Sequence, residues 1–145
     1  MNNDQHRELM AKLSEALTQQ RWDLLDQVYT PDVTTEYPQS GERFRGVANL
    51  RGQFENYPGE AGLEAEMSDV IGGSTFALTP MYTVVAVEGS GDRGTGIFRT
   101  RYPDGTYWWV ITIYEIVDGR IAKARLFFAP EFEPPEWRAP FWDRS

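Results

Sequence analysis

The chain has 145 residues, 41% hydrophobic and 25% charged, which is the size and composition of one globular domain with a single core. Its formal net charge of −8 argues against nucleic acid or anionic membrane as a partner, because both require a basic footprint. Zero cysteines exclude disulfides, thiolate catalysis and cysteine-ligated zinc, and fit a cytoplasmic chain.

The opening MNNDQHRELM contains no apolar signal region, and no apolar run approaches the ~20 residues of a membrane span. From about Asn3 to Gln20, Leu9, Leu13, Ala16 and Leu17 follow helical spacing, with Asn2, Asn3 and Asp4 as cap candidates. A second short helix carries Trp22, Leu25, Val28 and Tyr29 and ends at Thr30-Pro31-Asp32. Val33 to Tyr37 reads as a short strand stopped by Pro38, and Gln39 to Gly46 as a polar loop. A third helix follows from Val47 to about Tyr57, closed by Pro58-Gly59. Strands are then expected near Ala65–Ile71, Met81–Glu88 and Thr95–Tyr102, with a turn at Tyr102-Pro103-Asp104-Gly105. The tail, 130–145, holds Pro134, Pro135 and Pro140 and is expected to be extended rather than helical. Its aromatics, Trp137 foremost, are expected to pack across the body or onto a partner subunit.

The run from Tyr107 to Pro130 is the most informative. Asp118-Gly119 between two β-rich segments predicts a type I′ hairpin, which needs positive φ at both central residues. Val117 then pairs with Arg120. Strict alternation from that pair turns Trp109, Ile111, Ile113, Glu115 and Val117 inward, facing Ala122, Ala124, Leu126 and Phe128. Trp108, Val110, Thr112, Tyr114 and Ile116 turn outward with Ile121, Lys123, Arg125 and Phe127. The order of elements is helix, helix, strand, helix, then a strand meander. This predicts a single α+β domain over 1–145, a cystatin-like cone of about three helices on a curved antiparallel sheet.

The stretch Leu25 to Val33 (LDQVYTPDV), the segment Gly41 to Gly46 before the third helix, and the Asp118-Gly119-Arg120-Ile121 hairpin resemble the nuclear transport factor two-like superfamily. That group includes ketosteroid isomerases and SnoaL-like polyketide cyclases. The resemblance implies a conical pocket between helices and sheet. The superfamily hosts several chemistries and also non-enzymes, so the fold does not choose among them. The isomerases' catalytic set does not carry over. Their general-base Asp falls at Tyr37, their oxyanion-hole Tyr near Leu13 and their second donor near Ile113. SnoaL-like cyclases use one acid/base carboxylate in an apolar pocket, a part open to Glu115.

With the inward parity above, Glu115 is a carboxylate among Trp109, Ile111, Ile113 and Phe128. Desolvation there raises a carboxyl pKa and suits proton transfer; the alternative is a structural ion pair with Arg99, Arg101 or Arg120. Tyr37 is the second catalytic candidate, as a donor at the pocket mouth beside Gln39. Trp22, Gln39, Tyr57, Arg99, Trp109, Ile111, Ile113, Leu126 and Phe128 are the candidate ligand contacts. The chain has a single histidine, His6, and Glu131, Glu133 and Glu136 lack ligand spacing, so neither a metal nor another cofactor is expected. Three functions stay open. One is a cofactor-free isomerase, cyclase or dehydratase acting on an apolar cyclic or polyketide-like compound. The second is a non-catalytic binder of a small hydrophobic ligand. The third is a dimeric interaction module. A homodimer through the outer sheet face is expected, because aromatic residues on that face are more than a monomer ordinarily exposes.

Overall fold

Asn2 starts the first helix by a reciprocal cap. Its side chain accepts from the Gln5 amide at 2.9 Å, and the Gln5 side chain accepts from the Asn2 amide at 2.8 Å, which satisfies two otherwise orphaned donors. The architecture comes from a computed structural model, which describes residues 1–56, 66–69, 75–78, 83–101 and 106–144. Helix α1 runs Asn3–Thr18 and buries His6, Leu9, Met10, Leu13, Ala16 and Leu17 on one stripe. A 3-10 turn, Trp22–Leu24, and α2, Leu25–Val28, lead directly into β1, Tyr29–Tyr37. Strand β2, Glu42–Arg45, lies within the expected polar loop and folds back on β1 as a hairpin. Helix α3 is Val47–Glu55.

The remaining strands are β3 (Glu66–Asp69), β4 (Thr75–Leu78), β5 (Thr83–Ser90), β6 (Arg93–Arg101), β7 (Tyr107–Val117) and β8 (Arg120–Pro130). Six of them form one sheet in the order β2-β1-β8-β7-β6-β5, and β3 pairs with β4 separately. Neighbours in the large sheet are antiparallel except β1 and β8, which run parallel. The helices cover one face. Leu13, Leu17, Leu25, Val28, Val33 and Leu50 meet Phe98, Val110, Tyr114, Ile116, Ile121 and Ala124 in a single core. Burial of each large aliphatic or aromatic side chain there contributes about 1.5–3 kcal/mol. The expected α+β cone with N-terminal helices is therefore the fold. The expected turn at Tyr102–Gly105 and the end of the third helix at Tyr57 lie outside the described residues.

Asp118 and Gly119 both adopt positive φ, 49° and 75°, and Val117 pairs with Arg120, so the hairpin turn is the predicted one. The register then shifts. Ile116 pairs with Ile121, but Glu115 pairs with Lys123, leaving Ala122 as the extra residue of a β-bulge. One extra residue inverts alternation beyond it. Val110, Thr112, Tyr114 and Ile116 are buried against the helices together with Ile121 and Ala124, and Leu126 and Phe128 are partly buried on that side. Ile111, Ile113, Glu115 and Val117 lie on the outer face with Lys123, Arg125 and Phe127. This corrects the expected facing of β7 and of Ile121, while the inward Ala124, Leu126 and Phe128 and the outward Lys123, Arg125 and Phe127 stand as expected.

The tail also departs from expectation. Glu136–Phe141 is a 3-10 helix with Pro140 inside it. Trp137 is 73% exposed and Phe141 84% exposed, so Trp137 is not buried as an anchor among the described residues.

A Tyr37–Gln53 pair in an aromatic collar

Along β1, Val33 and Thr35 are buried, and Tyr37 continues the same face half-buried at the strand end. Its ring is fixed from two sides. Phe44 of β2 packs tilted at 4.9 Å between centroids and Phe128 of β8 edge-on at 5.0 Å, geometries that aromatic quadrupoles favour. The phenol points toward α3, where the Gln53 amide brackets it. Nε2 donates to the phenol oxygen at 2.8 Å, and the phenol donates to Oε1 at 3.1 Å. Beyond α3's packing edge, Trp22 stacks on Phe54 with planes 15° apart. The α2–β1 junction adds a second phenol. Tyr29 is buried, and its pKa is pushed up first by burial and then by the Tyr37 phenol.

Gln39 holds this arrangement in place. Beyond Glu36, paired with Arg125, the β1–β8 ladder ends. The Gln39 side chain continues it: Nε2 donates to the Phe128 carbonyl at 2.7 Å, and Oε1 accepts from the Phe128 amide. An amide side chain thus satisfies backbone groups that a missing strand residue leaves open, and it fixes the ring that Tyr37 rests on. Thr35, one inward position before Tyr37, buries a hydroxyl that has no partner among the described residues, as does Thr100 of β6. A buried orphan hydroxyl is costly, so each is a point at which a bound polar atom gains a partner.

The structure places the remaining sequence candidates as follows. Trp22, Tyr37, Leu126 and Phe128 face the helix side, and Gln39 touches their edge. Tyr57 lies outside the described residues. Arg99 pairs with Trp109 in register, on the outer face. There its guanidinium lies 4.6 Å from the Trp109 ring centre and 5.1 Å from that of Tyr107, and it also binds Glu131. Ile111 and Ile113 are exposed on that face as well. The Glu115 side chain is 51% exposed, and its carboxylate is 4.0 Å from Arg93. This overturns its expected place in the interior, because neither desolvation nor an apolar wall surrounds it. Sequence reasoning missed Gln53. Its partner lies 16 residues away, and nothing in its own helix marks it.

Other buried polar groups are structural. His6 is fully buried, with Nδ1 3.0 Å from the Tyr114 hydroxyl and Nε2 3.2 Å from the Gly91 carbonyl. Burial pushes the Tyr114 phenol up to about 12. Among the described residues no group of three or more acidic or histidine side chains is placed to hold a metal, and no helix is long and apolar enough to cross a membrane.

Comparison with solved structures finds the same cone. An NTF-2 like protein of unknown function from Burkholderia xenovorans LB400 matches with a TM-score of 0.76 and 23% identity, covering 100% of this chain and 98% of that one. A protein from Kribbella flavida DSM 17836, provisionally described as a ketosteroid isomerase, matches at 0.74 and 22%, covering 99% and 91%. An LEH-like epoxide hydrolase from M. tuberculosis matches at 0.61 and 16%, covering 87% and 84%. At these identities the likeness concerns the fold. No curated protein matches the sequence. The SnoaL-like domain model matches residues 10–124, most of the chain and every element from the middle of α1 into β8, and the chain belongs to the SnoaL-like domain family.

Proposed function

We propose that this chain is a pocket protein for a small, largely apolar cyclic compound carrying a carbonyl or hydroxyl group. The Tyr37–Gln53 pair supports this reading. It sets a donor and an acceptor side by side against the Phe44 and Phe128 rings, on the helix side where Trp22, Phe54 and Leu126 also pack against the core. Apolar walls with a few fixed polar groups are the usual make-up of a small-molecule site. A ligand oxygen takes the phenol proton in place of Gln53 Oε1, and Gln53 Nε2 keeps the phenol oriented. Thr35 offers a further donor on the same face.

Binding of such a compound, with or without turnover, is what this pair of polar groups supports. The finer catalytic reading is a cofactor-free isomerase, cyclase or dehydratase. It assigns Tyr37 the role of stabilising a developing oxyanion. The same chain is proposed to form a homodimer through its outer sheet face, where Ile111, Ile113, Val117 and Phe127 are exposed, and to work in the cytoplasm.

A panel of apolar cyclic ketones and alcohols, followed by thermal shift and by amide NMR shifts, tests the pocket reading. Compounds that stabilise the protein should move Gln53, Phe44 and Phe128. Shifts confined to the outer face, or no stabilisation by any cyclic ketone or alcohol, would overturn it.

A further inference from the structure

Every exposed large hydrophobic residue among those described belongs to one of two places. Tyr107, Ile111, Ile113, Val117 and Phe127 lie on β7 and β8, and Phe132, Trp137, Phe141 and Trp142 lie on the arm that follows β8. The two surfaces also differ in charge. Across β6, β7 and β8 the outer face carries Arg93, Arg99, Lys123 and Arg125 against Glu115, and Arg125 also pairs with Glu36 of the adjoining β1. The arm carries Glu131, Glu133, Glu136 and Asp143 against Arg138 and Arg144. In a chain of net charge −8, a basic apolar face and an acidic aromatic arm are complementary.

Within one chain they meet at the start of the arm. Glu131 binds Arg99 and directs the arm onto the outer side. Beyond it, among the described residues, the arm's hydrogen bonds and cation–π contacts are local: Arg138 lies over Trp137, Arg144 over Trp142, and the Arg138 amide donates to the Pro135 carbonyl. Pro130, Pro134, Pro135 and Pro140 restrict the arm before it binds anything, which lowers the entropy lost on docking. Its 3-10 helix of six residues, Glu136–Phe141, is about 12 Å long, enough to cross two or three strands.

We infer that the arm of one copy lies across the outer sheet face of a second copy, each covering the other about a two-fold axis. This rests on the outer-face homodimer proposed above and adds the arm as the element that closes it. Reciprocal exchange explains both exposures at once: one chain offers the face and the arm, and a two-fold pair consumes both. The aromatics supply the buried anchors of the interface. The arginines and lysine of the face meet the arm's glutamates at its rim, where they fix orientation.

Charge swapping tests this in the full chain. One variant reverses the face, Lys123→Glu with Arg125→Glu; the other reverses the arm, Glu133→Lys with Glu136→Lys. The affected side chains are exposed, and circular dichroism confirms that each variant is folded; Lys123→Gln with Arg125→Gln replaces the first if it is not. Sedimentation at low salt should show wild type as a dimer and each variant with dimerisation weakened about tenfold or more. An equimolar mixture should recover the dimer, because the reversed face of one variant then meets the reversed arm of the other. Wild type that is monomeric at high concentration overturns both the dimer and the arm. A dimer that survives arm reversal shows a face-to-face dimer and overturns the arm alone. Variants that dissociate without recovery on mixing place the arm on its own chain or elsewhere, and also overturn the inference.

Discussion

Glu115 of β7 stands opposite Lys123 of β8, because Ala122 is bulged out of the ladder between them. The carboxylate consequently shares the solvent face with Arg93. Exposed pairs of this kind contribute about 0–1 kcal/mol. Glu115→Gln is therefore expected to change stability by less than about 0.5 kcal/mol and to leave ligand binding unaltered. Parallel melting and binding measurements check it; a lost affinity would place this residue in the site after all.

The bulge itself is predicted to be indispensable. Deleting Ala122 forces strict alternation and turns either the Ala124–Leu126–Phe128 side or the Tyr114–Ile116 side out of the core. The cost is on the order of 3 kcal/mol or more, read as a fall in the urea midpoint. A deletion variant of near-native stability would mean that the sheet tolerates either register.

The turn was legible and the bulge was not, and the physical reason is plain. A type I′ turn requires backbone conformations that Asp-Gly supplies locally, so two residues declare it. A bulge at Ala122 follows from nonlocal packing. Tyr114 has to meet His6, and Ala124, Leu126 and Phe128 have to meet the helices, and both demands are met only if the register slips once. Both faces of β7 are rich in Trp, Ile and Val, so hydrophobicity alone could not tell them apart. The helices were legible because Leu9, Leu13 and Leu17 keep a helical period against polar neighbours. Tyr37 was legible from the strand ending at Pro38. Gln53 was not, because its partner lies 16 residues away and its own helix gives no sign of it.

Gly89 and Gly94 face each other across the β5–β6 hairpin. A Cβ on Gly89 would lie 2.3 Å from the His6 ring, and one on Gly94 2.3 Å from the Tyr114 ring. These two glycines leave room for the buried His6–Tyr114 contact. Gly89→Ala and Gly94→Ala are each expected to destabilise by about 1–3 kcal/mol. Gly52→Ala, in α3 with nothing within 4 Å of its Cβ, is expected to stabilise by about 0.4–1 kcal/mol. Chemical denaturation of the three variants tests the contrast in sign.

Tyr114 and Tyr29 make stability fall at alkaline pH. Burial pushes Tyr114 up to about 12, and burial with the Tyr37 phenol raises Tyr29, whereas an unfolded tyrosine titrates near 10. The folded state therefore holds these protons more tightly. Their stabilising contribution is complete below about pH 10, and for Tyr114 it is lost as pH rises toward about 12. Unfolding free energy measured from about pH 8 upward should begin to drop near pH 10, and Tyr114→Phe should flatten part of that slope. A flat profile in the native sequence would contradict the burial of both phenols.

The Tyr37 phenol, held by Gln53, is proposed to make the hydrogen bond that anchors an apolar ligand. The most direct measurement is calorimetric titration of one cyclic ketone, chosen from those that stabilise the protein, into wild type and Tyr37→Phe. The substitution keeps the ring between Phe44 and Phe128 and removes only the hydroxyl. A neutral hydrogen bond contributes about 0.5–1.5 kcal/mol, so affinity should fall roughly threefold to tenfold with the melting temperature nearly unchanged. Equal affinity for the two proteins would mean that the Tyr37 hydroxyl does not bind the ligand.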